Sequence, residues 1–258
     1  MEEKATGILK NWKQYLAEFF MLFAAVTLGF FAENLREYQE EKNREIQFLH
    51  NIHFDLQRDL KEARLTIDFN LEKQKIGDSL VAELTKQEYE KDPANTYFYL
   101  KGLALRKMFE HSSSGFEQIR NAGGLRLIED KSIVQKILLI ENRLAVVDRL
   151  QFMMDQNLLH YRDKMSRITD AQTIQQMNND QDLTLTQDPK ANLRRFPRPT
   201  NPRPLLIDGY KDINEVVNLV INPVNTTRYI NTHLDTLILQ MKNLDDEIVE
   251  KYVSRLEY

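Results

Sequence analysis

Residues 19–32 read FFMLFAAVTLGFFA, fourteen positions without a charge. With Tyr15, Leu16 and Ala17 in front, the run reaches eighteen residues and is interrupted only by Glu18. As a helix rising 1.5 Å per residue it spans about 27 Å, close to the roughly 30 Å hydrocarbon core of a bilayer. Thr27 is the sole hydrogen-bonding side chain in the charge-free stretch, so such a helix has no polar face to turn toward water. Trp12 and Tyr15 stand at one end, where amphipathic rings settle at headgroup level. A signal peptide cut after Ala32 would put Phe30 where a small residue is wanted. The reading is an uncleaved transmembrane helix over 15–34, behind a flank at 1–14.

The orientation signal is balanced. Lys4, Lys10 and Lys13 precede the span, and Arg36, Lys42 and Arg44 follow it. The expectation is a single-pass membrane protein with a cytoplasmic N-terminus and an extracytoplasmic body. Composition removes other classes. Among 258 residues there is no cysteine, hence no disulfide framework, thiol nucleophile or zinc finger. With 35 Lys+Arg against 39 Asp+Glu, nothing draws the chain as a whole to nucleic acid.

Beyond the span the apolar residues fall at helical spacing. Ile46, Leu49, His53, Leu56, Leu60, Ala63 and Ile67 form one seam, and residues 33–76 contain neither Pro nor Gly. The membrane helix is expected to continue as a stalk ending near 84–87. A second seam runs through Ile133, Ile137, Ile140, Leu144, Val147, Gln151, Met154, Leu158, Tyr161 and Met165, with Gln151 as its one fully polar member. A third holds Leu234, Leu237, Met241, Leu244 and Ile248, with Tyr252 and Leu256 beyond. Strand alternation is nearly absent; 96–100 is the best candidate and also fits a helix start. The fold class is therefore all-α, with the three long helices packed as an antiparallel bundle.

The domain plan is a stalk and bundle at 35–165, an excursion at 166–210 and C-terminal bundle helices at 211–258. Between the first two seams a compact connector is expected, with Ser114 and Glu117 at capping-box spacing and Gly123-Gly124 supplying a left-handed helix end. The excursion carries a Gln/Asn/Asp-rich run and five of the seven prolines. It is expected to be extended and non-helical, with polyproline character.

Ala17-Glu18 before the apolar run, Glu33-Asn34-Leu35-Arg36-Glu37 after it, and the stretch from Ser114-Gly115-Phe116-Glu117-Gln118-Ile119 to Gly124-Leu125-Arg126-Leu127-Ile128 resemble an uncharacterised bacterial family of single-span membrane proteins, a domain of unknown function. The match covers roughly the first third and one central segment. Leu35 stands where that family usually has Trp. The resemblance implies a span and a helical body, and no activity.

Candidate functional residues are few. Glu18, a carboxylate at the membrane edge, reads as an interfacial residue or as an ion or oligomer contact. Ala25 and Gly29, four apart, offer a small face for helix packing. Lys190, Arg194, Arg195, Arg198 and Arg203 place five cations in fifteen residues with no acid between them, suited to anionic lipid or an acidic partner. His50 and His53 are three apart, but no HExxH or Glu-x-x-His accompanies them, so no metal and no cofactor is expected. Ser112–Ser114 read as helix capping, and no nucleophile or phosphate-loop motif occurs. The expected role is a non-enzymatic membrane scaffold or interaction protein, partnered by lipids and by itself or another membrane protein, without nucleic acid. The alternative is a sensor or transport-associated subunit whose bundle binds a ligand, with Gln151 lining the cavity.

Overall fold

The computed structural model describes residues 3–112, 116, 119–120, 123–184 and 188–252, with side chains from Trp12 onward except Pro189 and Lys190. It is all-α, and no strand occurs among the described residues. The helices are α1 (Glu3–Thr85), α2 (Pro93–Leu103), α3 (Lys131–Ile168), α4 (Ala171–Asn179), α5 (Pro189–Leu193) and α6 (Gly209–Lys251). Local chemistry sets their ends. Pro93 opens α2, and Asp92 accepts from the Ala94 amide. Asp130 caps α3 through the Ser132 amide, and Asp170 caps α4 through the Thr173 amide. The expected start near Ser132 and stop near 84–87 agree with α3 and α1. The Ser114–Glu117 capping box lies outside the described residues, while Gly123 does hold a left-handed backbone at φ 65°.

Long-range pairs give the direction of each helix. α1 meets α6 at His53–Asp245 and again at Asn70–Asn231, so these two are antiparallel. α3 meets α6 at Asp130–Lys251, Arg143–His233 and Lys164–Asp212, also antiparallel. It follows that α1 and α3 run the same way. This differs from a bundle in which each consecutive helix reverses. The chain runs back between α1 and α3 through α2 and a return leg behind it, in which 105–112 are extended or irregular, Phe116, Ile119 and Arg120 are helical and Gly124–Arg126 form a 3-10 turn. Leu105 lies beside Lys73, Ser112 beside Asp59 and Glu129 beside Glu45. The four legs therefore alternate in direction, and the second combines α2 with the non-helical stretch 105–112.

An extended leg between helices has no ladder to bond its own amides and carbonyls. Side chains projecting from α1 and α3 supply the partners. Glu45 accepts from the Glu129 amide (2.8 Å) and Asp59 from the Ser112 amide (2.8 Å). Gln151 accepts from the Phe109 amide (2.6 Å) and donates to the Phe109 carbonyl (3.3 Å). Lys73 donates to the Leu105 carbonyl (2.7 Å) and Arg162 to the Ala104 carbonyl (2.6 Å). Between these bonds Phe109, Phe116, Ile119 and Ile128 enter the core. Gln151 thus sits in an apolar seam because a bare peptide faces it.

Two apolar cores are stacked along the body. The one nearer residue 45 gathers Leu49, Ile52, Leu56, Ile137, Val147, Leu237 and Leu244. The farther one gathers Ile76, Leu80, Leu100, Leu158, Ile213 and Val220. Thr66, Asn70, Lys73, Thr227 and Asn231 are buried at the level between them. α1 and α6 pack tightly at Gly77, where a Cβ would stand 2.5 Å from a Val224 methyl. Most members of the three seams lie inside; Ile46, His53, Ile67, Met165 and Tyr252 are half-buried, Ile52 is fully buried outside the first seam, and Leu256 lies outside the described residues.

The excursion is not uniformly extended. Its Gln/Asn-rich part forms α4, because Asp170 caps it and Met177 packs against Tyr97 and Phe196. A further helical turn follows at Pro189–Leu193, where Pro occupies the first position that a helix tolerates. Replacing Gln151 with Leu keeps the apolar volume but orphans the Phe109 amide and carbonyl. The expected cost is about 2–4 kcal/mol of folding stability, read by denaturant titration.

Candidate functional site: an exposed apolar helix and the charged groups of the body

The N-terminal part of α1 is apolar and uncovered. An 18-residue window there has a mean hydropathy of 1.8, and none of it is buried. Phe20, Leu22, Phe30 and Phe31 are each more than half exposed. Thr27 Oγ donates to the Phe23 carbonyl (2.8 Å), so its one hydroxyl is satisfied within the helix. Ala25 and Gly29 face open space, and a Cβ at Gly29 would meet nothing within 4 Å. Glu18 is exposed near the Trp12–Tyr15 end. From Glu33 to Glu40 the helix is exposed and carries its own ion pairs, Arg36 with Glu33 (2.5 Å) and Glu40 (3.0 Å), and the first ion pair to the body comes at Lys42, which meets Glu129 (2.5 Å). The body begins at Glu45, which is fully buried.

Glu45 centres a polar clasp at this end. It accepts from Lys42 (2.9 Å), the Glu129 amide and Tyr252 Oη (3.1 Å). Beside it, Lys251 bonds Asp130 (2.5 Å) and Glu247 (2.6 Å), and Lys136 also reaches Glu247. Lys251 holds the Asp130 carboxyl below the usual range, and Lys136 with Lys251 does the same for Glu247. These contacts tie α1, α3 and α6 together where the free helix leaves.

The histidines do not converge on one point. His53 Nδ1 pairs with Asp245 (2.6 Å), whose other oxygen accepts from Gln57 (2.5 Å). His50 packs edge-on against Phe54. Among the described residues no group of three His, Asp or Glu could hold a metal. An open cleft beside this pair is lined by Lys61, Arg64, Lys242 and Asp246.

Sequence reasoning missed Lys73. It is fully buried, and Arg162, Asp155 and Arg106 surround it. Burial pushes its ammonium down to about 7, the two arginines add to the fall, and Asp155 opposes it. The amine is spent on the Leu105 carbonyl, so its role is to hold the return leg. A lysine on an otherwise buried stripe was the only signal.

The arginines of the excursion lie at the far end of the body. Arg194 approaches Glu72 (4.0 Å), and Arg198 bonds Asn95 (2.6 Å) while lying over the Phe98 ring. Arg203 approaches Asp170 (3.7 Å), and the Arg195 carbonyl accepts from the Asp182 amide. The Lys190 side chain lies outside the described residues. Arg194 and Arg198 share a cleft with Glu72, Lys75 and Ser79. At 1.5 Å per residue, Glu72 stands about 60 Å up α1 from Phe31. The cations are therefore partly paired within the chain and remote from the apolar run.

Because its folded-state value lies below the ordinary 10.5, Lys73 lowers stability while the unfolded chain keeps the proton more readily. Stability should rise with pH from about 7 to about 10.5. Lys73→Met should lose that rise, as thermal melts at several pH values would show. A comparison of the chain with known protein families, curated proteins and solved structures finds no match.

Proposed function

We propose that the chain is a single-span membrane protein whose exposed apolar helix crosses a bilayer and holds the helical body beside it as a non-enzymatic scaffold. The supporting observation is the contrast within α1. Past Glu45 its apolar side chains are mostly buried, whereas the window of highest hydropathy has none buried. That segment exposes on the order of 1,000 Å² of apolar surface, well beyond the roughly 300–600 Å² patch of a typical soluble monomer. Lipid covers it at no conformational cost, since every backbone group is bonded within the helix.

Scaffolding is favoured over ligand sensing by the way the inward polar groups are used. Gln151, Asp59 and Lys73 bond the return leg and leave no convergent set aimed at a ligand. Bonding to headgroups of the same bilayer is not part of this reading for Arg194 and Arg198, given their distance along α1. They suit an acidic partner at the far end.

The test is fractionation of cells making the full chain. It should stay with membranes through salt and alkaline washes and come off only in detergent. Leu22→Arg, costing about 2.5–3.5 kcal/mol at the span centre, should move a large share to the soluble fraction. A wild-type chain recovered as a monodisperse particle in aqueous buffer would overturn the reading.

A further inference from the structure

The arginine-rich excursion folds back onto α2 and is fastened there by two cation–π contacts. Lys101 of α2 lies over the Phe196 ring (4.2 Å), and Arg198 lies over the Phe98 ring of α2 (4.5 Å). Arg198 Nε also donates to Asn95 (2.6 Å). One face of this guanidinium and its Nε are thus in use, while its two terminal amino groups bond nothing among the described residues. Such a pair of groups grips a carboxylate with two parallel bonds.

Arg198, Arg194 and Lys75 border the cleft of about 310 Å³ between α1, α2 and α5. Glu72, its one acid, is mostly buried and pairs with Lys75 (2.8 Å). Three cations against one acid leave the cleft with positive charge in excess. Ile76, Phe98 and Leu193 give it an apolar lining.

We infer that this cleft receives an acidic segment of a partner protein in which an apolar side chain stands between carboxylates. The apolar side chain covers Ile76, Phe98 and Leu193, and the flanking carboxylates meet Arg198 and Arg194 at the rim. Glu72 repels a bare anion that sinks into the cleft, so negative groups stay at the rim and an uncharged group fills the space below. The volume lies at the low end of the roughly 300–1,000 Å³ that encloses a small molecule, and the Arg194 side chain is 65% exposed. Exposed ion pairs taken singly contribute little. Binding here therefore needs several at once, which an acidic segment on clustered arginines supplies. Arg198 is already positioned by Phe98 and Asn95, so it loses less freedom when it binds. Lipid headgroups are not the occupant, because the cleft stands about 60 Å along α1 from the apolar run. This segment is the acidic partner of the scaffold reading, on which the choice of a protein occupant rests; the membrane anchor plays no part in it.

The test uses the full chain in detergent and a fluorescein-labelled peptide, Glu-Glu-Phe-Glu-Glu, followed by fluorescence anisotropy at low salt. One comparison peptide replaces every Glu with Gln, and another replaces the Phe with Ser. Saturable binding is expected, weaker by about tenfold for the Gln peptide and by about threefold for the Ser peptide. Arg198→Gln and Arg194→Gln should each weaken the acidic peptide by about three- to tenfold. Lys61→Gln and Arg64→Gln, at exposed cations of the cleft beside Asp245, should leave it unchanged. Glu72→Gln should act in the opposite sense and tighten binding by about threefold, which damage to the fold would not do. Arg194→Gln, at an exposed side chain, carries the test should Arg198→Gln loosen the excursion.

No saturable binding, equal binding of the acidic and Gln peptides, or no effect of Arg194→Gln would overturn the inference. Displacement of the peptide by inorganic phosphate at matched ionic strength would show a bare-anion site and overturn it as well. Peptide binding by a chain recovered in the aqueous fraction would sink the membrane reading and keep this one. A membrane-bound chain that ignores the peptide would do the reverse.

Discussion

A peptide buried between helices without a ladder of its own must find a partner for each amide and carbonyl, or forfeit about 1–3 kcal/mol per orphan. This chain places such a peptide, residues 104–112, in the groove between two parallel helices. The buried polar side chains of α1 and α3 are arranged around that need. Glu45, Asp59 and Lys73 sit on one wall and Gln151 and Arg162 on the other, each bonded to the return leg. Together with Phe109, Phe116, Ile119 and Ile128, which enter the core, they join α1 and α3 through the leg.

The helices were legible because their pattern is local. The spacing of Ile133, Ile137, Ile140 and Leu144 already puts one face inside, and Asp130 before Lys131 marks where the turn begins. The direction of α3 relative to α1 was not legible. It depends on how far a segment without periodicity travels, and extended residues cover about twice the length of helical ones. The clue was present but indirect, since Gln151 alone interrupts a clean apolar seam. α4 was hidden for another reason. Gln and Asn are indifferent helix formers, and its stability comes from the Asp170 cap and from Met177 packing on Tyr97. Of the candidate residues, Ala25 and Gly29 do share an open face, Arg194 and Arg198 do share a cleft, and Lys73 was invisible to motif reasoning.

The level of Thr66, Asn70, Lys73, Thr227 and Asn231 divides the interior into two oily compartments. Such a layer costs stability compared with Leu or Ile, yet it admits only one alignment. Asn70 and Asn231 bond each other at 2.8 Å, and a slip by one helical turn would break that bond. Two uniform apolar seams would tolerate that slip far better. The tight approach of Gly77 to Val224 fixes the same alignment sterically, a few residues farther along.

α1 is one unbroken helix from its apolar segment through the core to Thr85. Apolar segment and body are therefore joined in one continuous arm. Fifty-odd residues separate Phe31 from Thr85, a lever of about 80 Å. Bilayers that differ in thickness make such segments lean by different amounts. A change of lean of only about 10° would sweep the distal tip sideways by roughly 14 Å, given the rise per residue.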